Sequence, residues 1–144
     1  MTHNWLYEGE FQENSFGFVY KITNLTNDKI YIGKKSFIHN KRKKLGKKEL
    51  LNLPVTRGRK PTSIIEQIDS GWKTYWGSSK ELLNDVKTLG EDKFEKSILC
   101  FCNTKKQLSY YELEYQFKYK VLFIDSYNEN INGSYFRKDF EISK

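Results

Sequence analysis

Apolar and polar residues alternate along "GFVYKITN" (residues 17–24), at the two-residue period of a half-buried strand. Phe18, Tyr20 and Ile22 fall on one face, and Val19, Lys21 and Thr23 on the other. "NLTND" supplies turn residues. "KIYIG" (residues 29–33) reads as a returning strand, so the two stretches predict a β-hairpin. Farther along, the period lengthens. "SKELLNDVKTLG" opens on a Ser N-cap, sets Leu82, Leu83, Val86 and Leu89 on one helical face, and stops at Gly90. "FEKSILCFC" predicts a third strand, and "NTKKQLSYYELEYQFKYKVL" a long helix capped by Asn103 or Thr104. "PTSIIEQIDSG" has Pro61 at its start and Gly71 at its end, which predicts another helix. "LGKKELLNL" predicts a short helix ended by Pro54, and the glycine-punctuated "GWKTYWGSS" a loop. The expected fold is α/β (α+β): a small sandwich with a central, mostly antiparallel three-stranded sheet flanked by helices. Residues 1–15 read as a lead-in anchored by Trp5, Tyr7 and Phe11, residues 16–135 as one domain with an insert at about 36–60, and residues 136–144 as a tail.

Charge sharpens this picture. The net charge of the 144-residue chain is +7, but it is not spread evenly. Between Lys34 and Lys60 there are eleven Lys and Arg residues against a single acid, Glu49. A concentrated basic segment is the usual footprint of a polyanion, most often nucleic acid. No apolar run is long enough to span a membrane, and the opening "MTHNWLYEGE" has neither a basic n-region nor an apolar h-region. A cytoplasmic protein is expected. Cys100 and Cys102 lie two apart on a strand, facing the same side, which suits packing better than a mutual disulfide. A metal reading of "CFC" needs further ligands, and the only histidines are His3 and His39, so packing cysteines are expected rather than a zinc site.

A hairpin turn centred between Leu25 and Thr26 pairs Tyr20 directly with Tyr31 on one face. Gly33 leaves room beside them, and Lys34 and Lys35 place cations at the strand exit. Two phenols, a gap and two cations suit a phosphodiester. The pattern resembles the GIY-YIG endonuclease family. Its first motif is "FVY" (Phe18, Val19, Tyr20), with Phe18 where the family usually has glycine, and its second is "YIG" (Tyr31, Ile32, Gly33). "WKTYWGSSKELL" and "LSYYELEYQF" are similar to small phage-type members.

That resemblance implies hydrolysis of double-stranded DNA with one divalent cation, Mg²⁺ or Mn²⁺, and tyrosine-assisted attack by water. Tyr20 would deprotonate the water, with Tyr31 assisting and nearby cations lowering the Tyr20 pKa. A metal-binding glutamate is implied on the helix after the third strand. There Leu108, Tyr111, Tyr115 and Tyr119 form a stripe with Glu112 beside it, whereas Glu114 points about 200° away. Glu112 is therefore the metal candidate. The family arginine maps nearest to Arg42, with Arg57, Arg59 or Lys35 as substitutes, and its bracing asparagine maps best to Asn128. Lys34, Lys35, Lys41, Arg42, Lys43, Lys44, Arg57, Arg59 and Trp76 are the expected DNA contacts. Trp72, Tyr75 and Trp76 suit base stacking or core closure equally. One site per chain implies two chains, or two encounters, for a double-strand break. A non-catalytic nucleic-acid-binding module on the same fold is the alternative.

Overall fold

The computed structural model describes residues 3–51 and 63–140. In chain order the main elements are β1 (Trp5–Leu6), β2 (Gly17–Asn24), β3 (Ile30–Ser36), β4 (Ile38–Lys44), α1 (Lys47–Leu51), β5 (Ser63–Asp69), α2 (Lys80–Leu89), β6 (Phe94–Cys102), α3 (Lys105–Lys118), β7 (Asn130–Ile131) and β8 (Tyr135–Phe136). The central sheet runs β1-β6-β2-β3. It is antiparallel except where β1 joins β6 in parallel. The three expected strands are thus its body, and a two-residue strand from the lead-in adds a fourth.

β2 sits in the middle and is buried on both faces. On one face Phe18, Tyr20 and Ile22 pack with Trp5, Phe37 and Trp72 and with Leu82 and Val86 of α2. On the other, Val19 and Ile32 pack with Leu108 of α3, Val121 and Ile131. Leu82 and Leu108 are almost wholly buried, each worth roughly 1.5–3 kcal/mol relative to exposure. Leu83 and Leu89, expected on the same helical face, are instead 42% and 41% exposed, so the buried stripe of α2 is narrower than its sequence suggests. Ser79 caps α2, its side chain accepting from Leu82 N, and Thr104 caps α3 by accepting from Gln107 N.

The hairpin register differs from expectation. Tyr20 lies opposite Gly33, and Tyr31 opposite Ile22. The cause is a four-residue loop closed by Asn24. Its N–H donates to Lys29 O at 2.9 Å and its carbonyl accepts from Asp28 N at 2.7 Å. Its side chain accepts from Thr26 N at 2.9 Å, and Asp28 takes a left-handed φ of 61°. The shift is two residues, so both tyrosines keep their common face. A bulge opposite Val19 and Tyr20, which pair with Cys100 and Ile98, leaves Leu99 as the extra residue on β6.

The larger correction concerns the insert. Residues 63–69, expected as part of a helix, form β5, and it pairs antiparallel with β4 from Ile38↔Asp69 to Lys44↔Ser63. Ile64, Ile65 and Ile68 fit a helical stripe, but β-branched residues also suit a strand, and long-range pairing decides between them. The two strands make a separate ribbon. It leaves the body at Phe37, which is buried and donates its N–H to Phe16 O at 3.1 Å. The short helix expected at "LGKKELLNL" is present as α1. Its expected stop, Pro54, lies outside the described residues.

Candidate active site

The free edge of β3 is closed by one backbone bridge, where Tyr127 N–H donates to Ile30 O at 2.8 Å, and beyond it by side chains. Asn128 accepts from Ile32 N at 3.0 Å and donates to Ile32 O at 2.9 Å. Gln116 donates to the same carbonyl at 3.1 Å. Both Asn128 and Gln116 are buried, so these bonds satisfy backbone groups that would otherwise cost about 1–3 kcal/mol each. They also hold Ile32 between Tyr31 and Gly33. The loop bearing Asn128 is fastened by Arg137, whose guanidinium donates to the carbonyls of Val121 (2.8 Å), Ile124 (2.6 Å) and Asn128 (2.9 Å).

Gly33 has no side chain for a direct reason. A Cβ there would lie 2.4 Å from the Tyr20 hydroxyl and 2.6 Å from Cζ. The Tyr20 ring crosses β3 at the position the glycine vacates. Gly77, at φ 86°, closes the other side, where a Cβ would lie 3.0 Å from Tyr31 Cε2 and 3.2 Å from the Tyr20 hydroxyl. The Tyr20 and Tyr31 rings are 6.1 Å apart at their centroids, and the Tyr75 ring meets Tyr20 edge-on at 6.1 Å. Tyr31 hydrogen-bonds Ser78 Oγ at 3.0 Å.

Glu112 approaches this cluster from α3. It lies one turn after Leu108 and one turn before Gln116, both buried, so its stripe faces the sheet. Tyr111 is 39% exposed, so the buried stripe is Leu108–Glu112–Gln116 rather than the aromatic one the sequence suggests. Glu114 is exposed. Tyr31 and Glu112 line one cleft of about 590 Å³, together with Ser78, Gln116, Tyr127 and Asn128. A larger cleft of about 730 Å³ against β1 and β6 contains neither hairpin tyrosine nor Glu112.

The electrostatics follow from burial. Desolvation raises the Glu112 pKa, and the Lys34 ammonium, 3.8 Å away, pulls it back down. Burial pushes the Tyr20 phenol well above its ordinary value, and Tyr31, Tyr75 and Glu112 add to the shift. No lysine or arginine is among the groups that shift the Tyr20 phenol. Lys35 stands 4.1 Å over the Tyr75 ring, and burial lowers its pKa against the opposing charge of Asp69. Lys34 also donates to Ser109 Oγ at 3.1 Å.

Tyr31, Glu112 and Asn128 line the cleft; Tyr20 packs against Tyr31, Lys34 lies 3.8 Å from Glu112 and Lys35 stands over Tyr75, all three beside the cleft rather than in its lining. Arg42 is not among the residues lining the cleft. It lies on β4 opposite Ile65, with Lys41, Lys43 and Lys44 exposed beside it. It is the fifth residue after Phe37, a reach of about 17 Å along an extended strand. Arg57 and Arg59 lie outside the described residues. Trp76 sits at the rim of the core that holds Tyr20, packing edge-on against Phe94 and donating to Glu91 Oε1 at 3.1 Å. Trp72 is core. The sequence did not single out Gly77, Ser78, Gln116 or Arg137; their roles come from contacts across the chain. The same holds for Tyr127, whose hydroxyl accepts from Asn24 Nδ2 at 3.0 Å and donates to Asp85 Oδ2 at 2.7 Å.

The residues present fit a hydrated divalent cation better than a side-chain metal cage. Glu112 is a desolvated carboxylate opening on the cleft, and one turn on, Gln116 Oε1 is buried without a hydrogen-bond partner. Among the described residues no group of three His, Cys, Asp or Glu could hold a metal together. One carboxylate plus water is a sufficient donor set for Mg²⁺. Cys100 and Cys102 are free thiols with sulfurs 3.9 Å apart. Among the described residues no helix is long and apolar enough to cross a membrane.

A family model described as "Putative endonuclease segE, GIY-YIG domain" matches residues 1–138 of the 144. No curated protein and no solved structure matches the chain significantly.

Proposed function

For a chain that belongs to the GIY-YIG endonuclease family, we propose a divalent-metal-dependent endonuclease that hydrolyses phosphodiester bonds of double-stranded DNA at the cleft between Tyr31 and Glu112. The observation that carries the reading is the convergence there of the "YIG" strand and the α3 carboxylate, which lie far apart in sequence.

Each residue has a distinct part. Tyr31, open to the cleft and hydrogen-bonded to Ser78, orients the attacking water. A P–O bond forms to that water as the P–O bond to the leaving oxygen breaks, and the proton passes through solvent to the leaving oxygen. Tyr20 stays protonated, because burial opposes its ionisation; it packs against Tyr31 and fixes that ring. Lys34 and Lys35 follow Gly33 on β3, one on each face of the sheet, and offset the charge that builds on the phosphorane. Lys35 takes the part of the family arginine, since Arg42 is on the ribbon. A lysine there is a point charge without a bidentate fork. Asn128 positions Tyr31 and Gly33 by holding Ile32. Glu112 would hold Mg²⁺ or Mn²⁺, and the bound ion would supply charge neutralisation at the non-bridging and leaving oxygens. One cleft cuts one strand, so a double-strand break takes two chains or two encounters.

Supercoiled plasmid tests this. Wild-type protein with Mg²⁺ or Mn²⁺ nicks it, chelator stops the reaction, and Glu112→Ala binds DNA without nicking. A wild type that binds and never nicks would mark a non-catalytic nucleic-acid-binding module. Equal nicking by both proteins would remove Glu112 from the site.

A further inference from the structure

The ribbon of β4 and β5 has two unlike faces. Directly opposed residues on an antiparallel pair project to the same side, and the sides alternate. One face carries the pairs His39↔Ile68, Lys41↔Glu66 and Lys43↔Ile64. Its cations are offset: Lys43 Nζ lies 3.5 Å from Glu66 Oε1, and Lys41 sits directly across from the same glutamate. The other face carries Asn40↔Gln67, Arg42↔Ile65 and Lys44↔Ser63. Asp69 is the acid of β5 on that face. It lies at the ribbon's base, where its carboxylate accepts from Gly71 N at 2.7 Å. Every β4 side chain is exposed, and Ile65 is 65% exposed.

Solubility needs only scattered charge. It does not account for a forked guanidinium, two opposed carboxamides and an uncovered isoleucine on one face, with the acid–lysine pair on the other. Those side chains match base edges. A guanidinium pairs with the two acceptors of guanine, a carboxamide with the acceptor and donor of adenine, and an apolar group meets the thymine methyl. A two-stranded ribbon is also one of the shapes that the major groove, ~12 Å wide, admits.

We propose that the β4–β5 ribbon enters the major groove of duplex DNA with the Asn40–Gln67–Arg42–Ile65 face toward the bases, and sets the sequence preference of the nuclease. This deepens the endonuclease reading and rests on it for the choice of DNA as ligand. Residues two apart on a strand advance about 6.8 Å, which matches two base steps at ~3.4 Å each. The Asn40–Gln67 pair and Arg42 therefore address positions two steps apart, an A·T pair and a G·C pair. Lys41 and Lys43 face away from the bases and strengthen binding without regard to sequence.

The test is selection from a randomised duplex library by the full chain in chelator, so that no hydrolysis is needed. Plasmid nicking is run separately, so a failure to cut DNA and a failure to read it are different results. Wild type enriches an adenine and a guanine two steps apart. Asn40→Ala with Gln67→Ala flattens the adenine position about tenfold, and Arg42→Ala flattens the guanine position to a similar degree. Arg42→Lys keeps the charge but loses the fork, so it flattens the guanine position while retaining most of the affinity. Lys41→Ala with Lys43→Ala weakens binding to all sequences and leaves the enriched motif unchanged. The proposal is overturned if the motif survives Asn40→Ala, Gln67→Ala and Arg42→Ala together. It is equally overturned if wild type enriches no sequence and shows only salt-sensitive, uniform binding.

Discussion

Replacing Gly33 with alanine places a methyl carbon 2.4 Å from the Tyr20 hydroxyl, 2.6 Å from its Cζ and 3.0 Å from Tyr31 Cε2. The first two are closer than Cβ atoms come, and the third is tight enough that Tyr31 must give way. Tyr20 is 1% exposed and packed against Trp5, Phe18 and Tyr75, so its ring has no neighbouring space to enter. The strain must fall on Tyr20, on Tyr31 or on the β3 backbone. Overpacking of this kind costs about 1–3 kcal/mol, which for a chain of this size lowers Tm by about 3–10 °C. Activity suffers more, because displacing a positioning group by about 1 Å can cost on the order of a hundredfold. Calorimetry gives the Tm, and plasmid nicking at matched folded concentration gives the rate. Tyr20→Leu removes the ring, so Gly33→Ala adds little further destabilisation in that background, and a double-mutant cycle reads the difference. A Gly33→Ala protein with wild-type Tm and rate, or one whose effect adds fully to Tyr20→Leu, would refute the steric account of this glycine.

Other substitutions separate the remaining parts of the site. Asn128→Ala leaves the N–H of Ile32 without its partner while Gln116 still reaches the carbonyl. Urea unfolding should show a loss of about 1–3 kcal/mol, with nicking reduced alongside; an unchanged midpoint would show that the edge of β3 is held by other means. The Glu112 pKa is raised by desolvation, so the carboxylate form is lost on acidification at a higher pH than for an ordinary glutamate. The acid limb of the nicking profile follows it, and Lys34→Ala, which removes the lowering charge, moves that limb to still higher pH. Ionising a desolvated carboxyl works against folding. Glu112→Gln should therefore be the more stable protein above the folded-state pKa, and lose that advantage below the unfolded-state pKa, where both side chains are neutral.

Local pattern made much of the molecule legible. β2, β6, α2 and α3 follow from alternation, helical period and the Ser79 and Thr104 caps. The residues of the site were also accessible from the two tyrosines, the glycine and a glutamate bordering an apolar stripe. Registers and partnerships were not. Pairing Tyr20 with Gly33 depends on Asn24 closing a four-residue loop, which no two-residue turn signal encodes. β5 carries isoleucines that satisfy a helical stripe, a proline before it and a glycine after it; only pairing with the basic strand decides its state. The move of Arg42 onto a ribbon follows from that same pairing, and it leaves Lys35, on the YIG strand itself, as the proposed cation. Gly77 and Tyr75 act through contacts to the hairpin tyrosines tens of residues away, and Arg137 through carbonyls in the loop before it, all beyond the reach of local periodicity.

The central claim is that the hairpin phenol and the α3 carboxylate share one cleft, and paramagnetic Mn²⁺ probes this without DNA or turnover. In NMR spectra of the full chain, with the Tyr31 ring signals assigned by Tyr31→Phe, substoichiometric Mn²⁺ should broaden the Tyr31 ring in wild type and leave it sharp in Glu112→Ala. Broadening confined to rings of the β1–β6 cleft such as Tyr7, or undiminished at Tyr31 in Glu112→Ala, would contradict the claim.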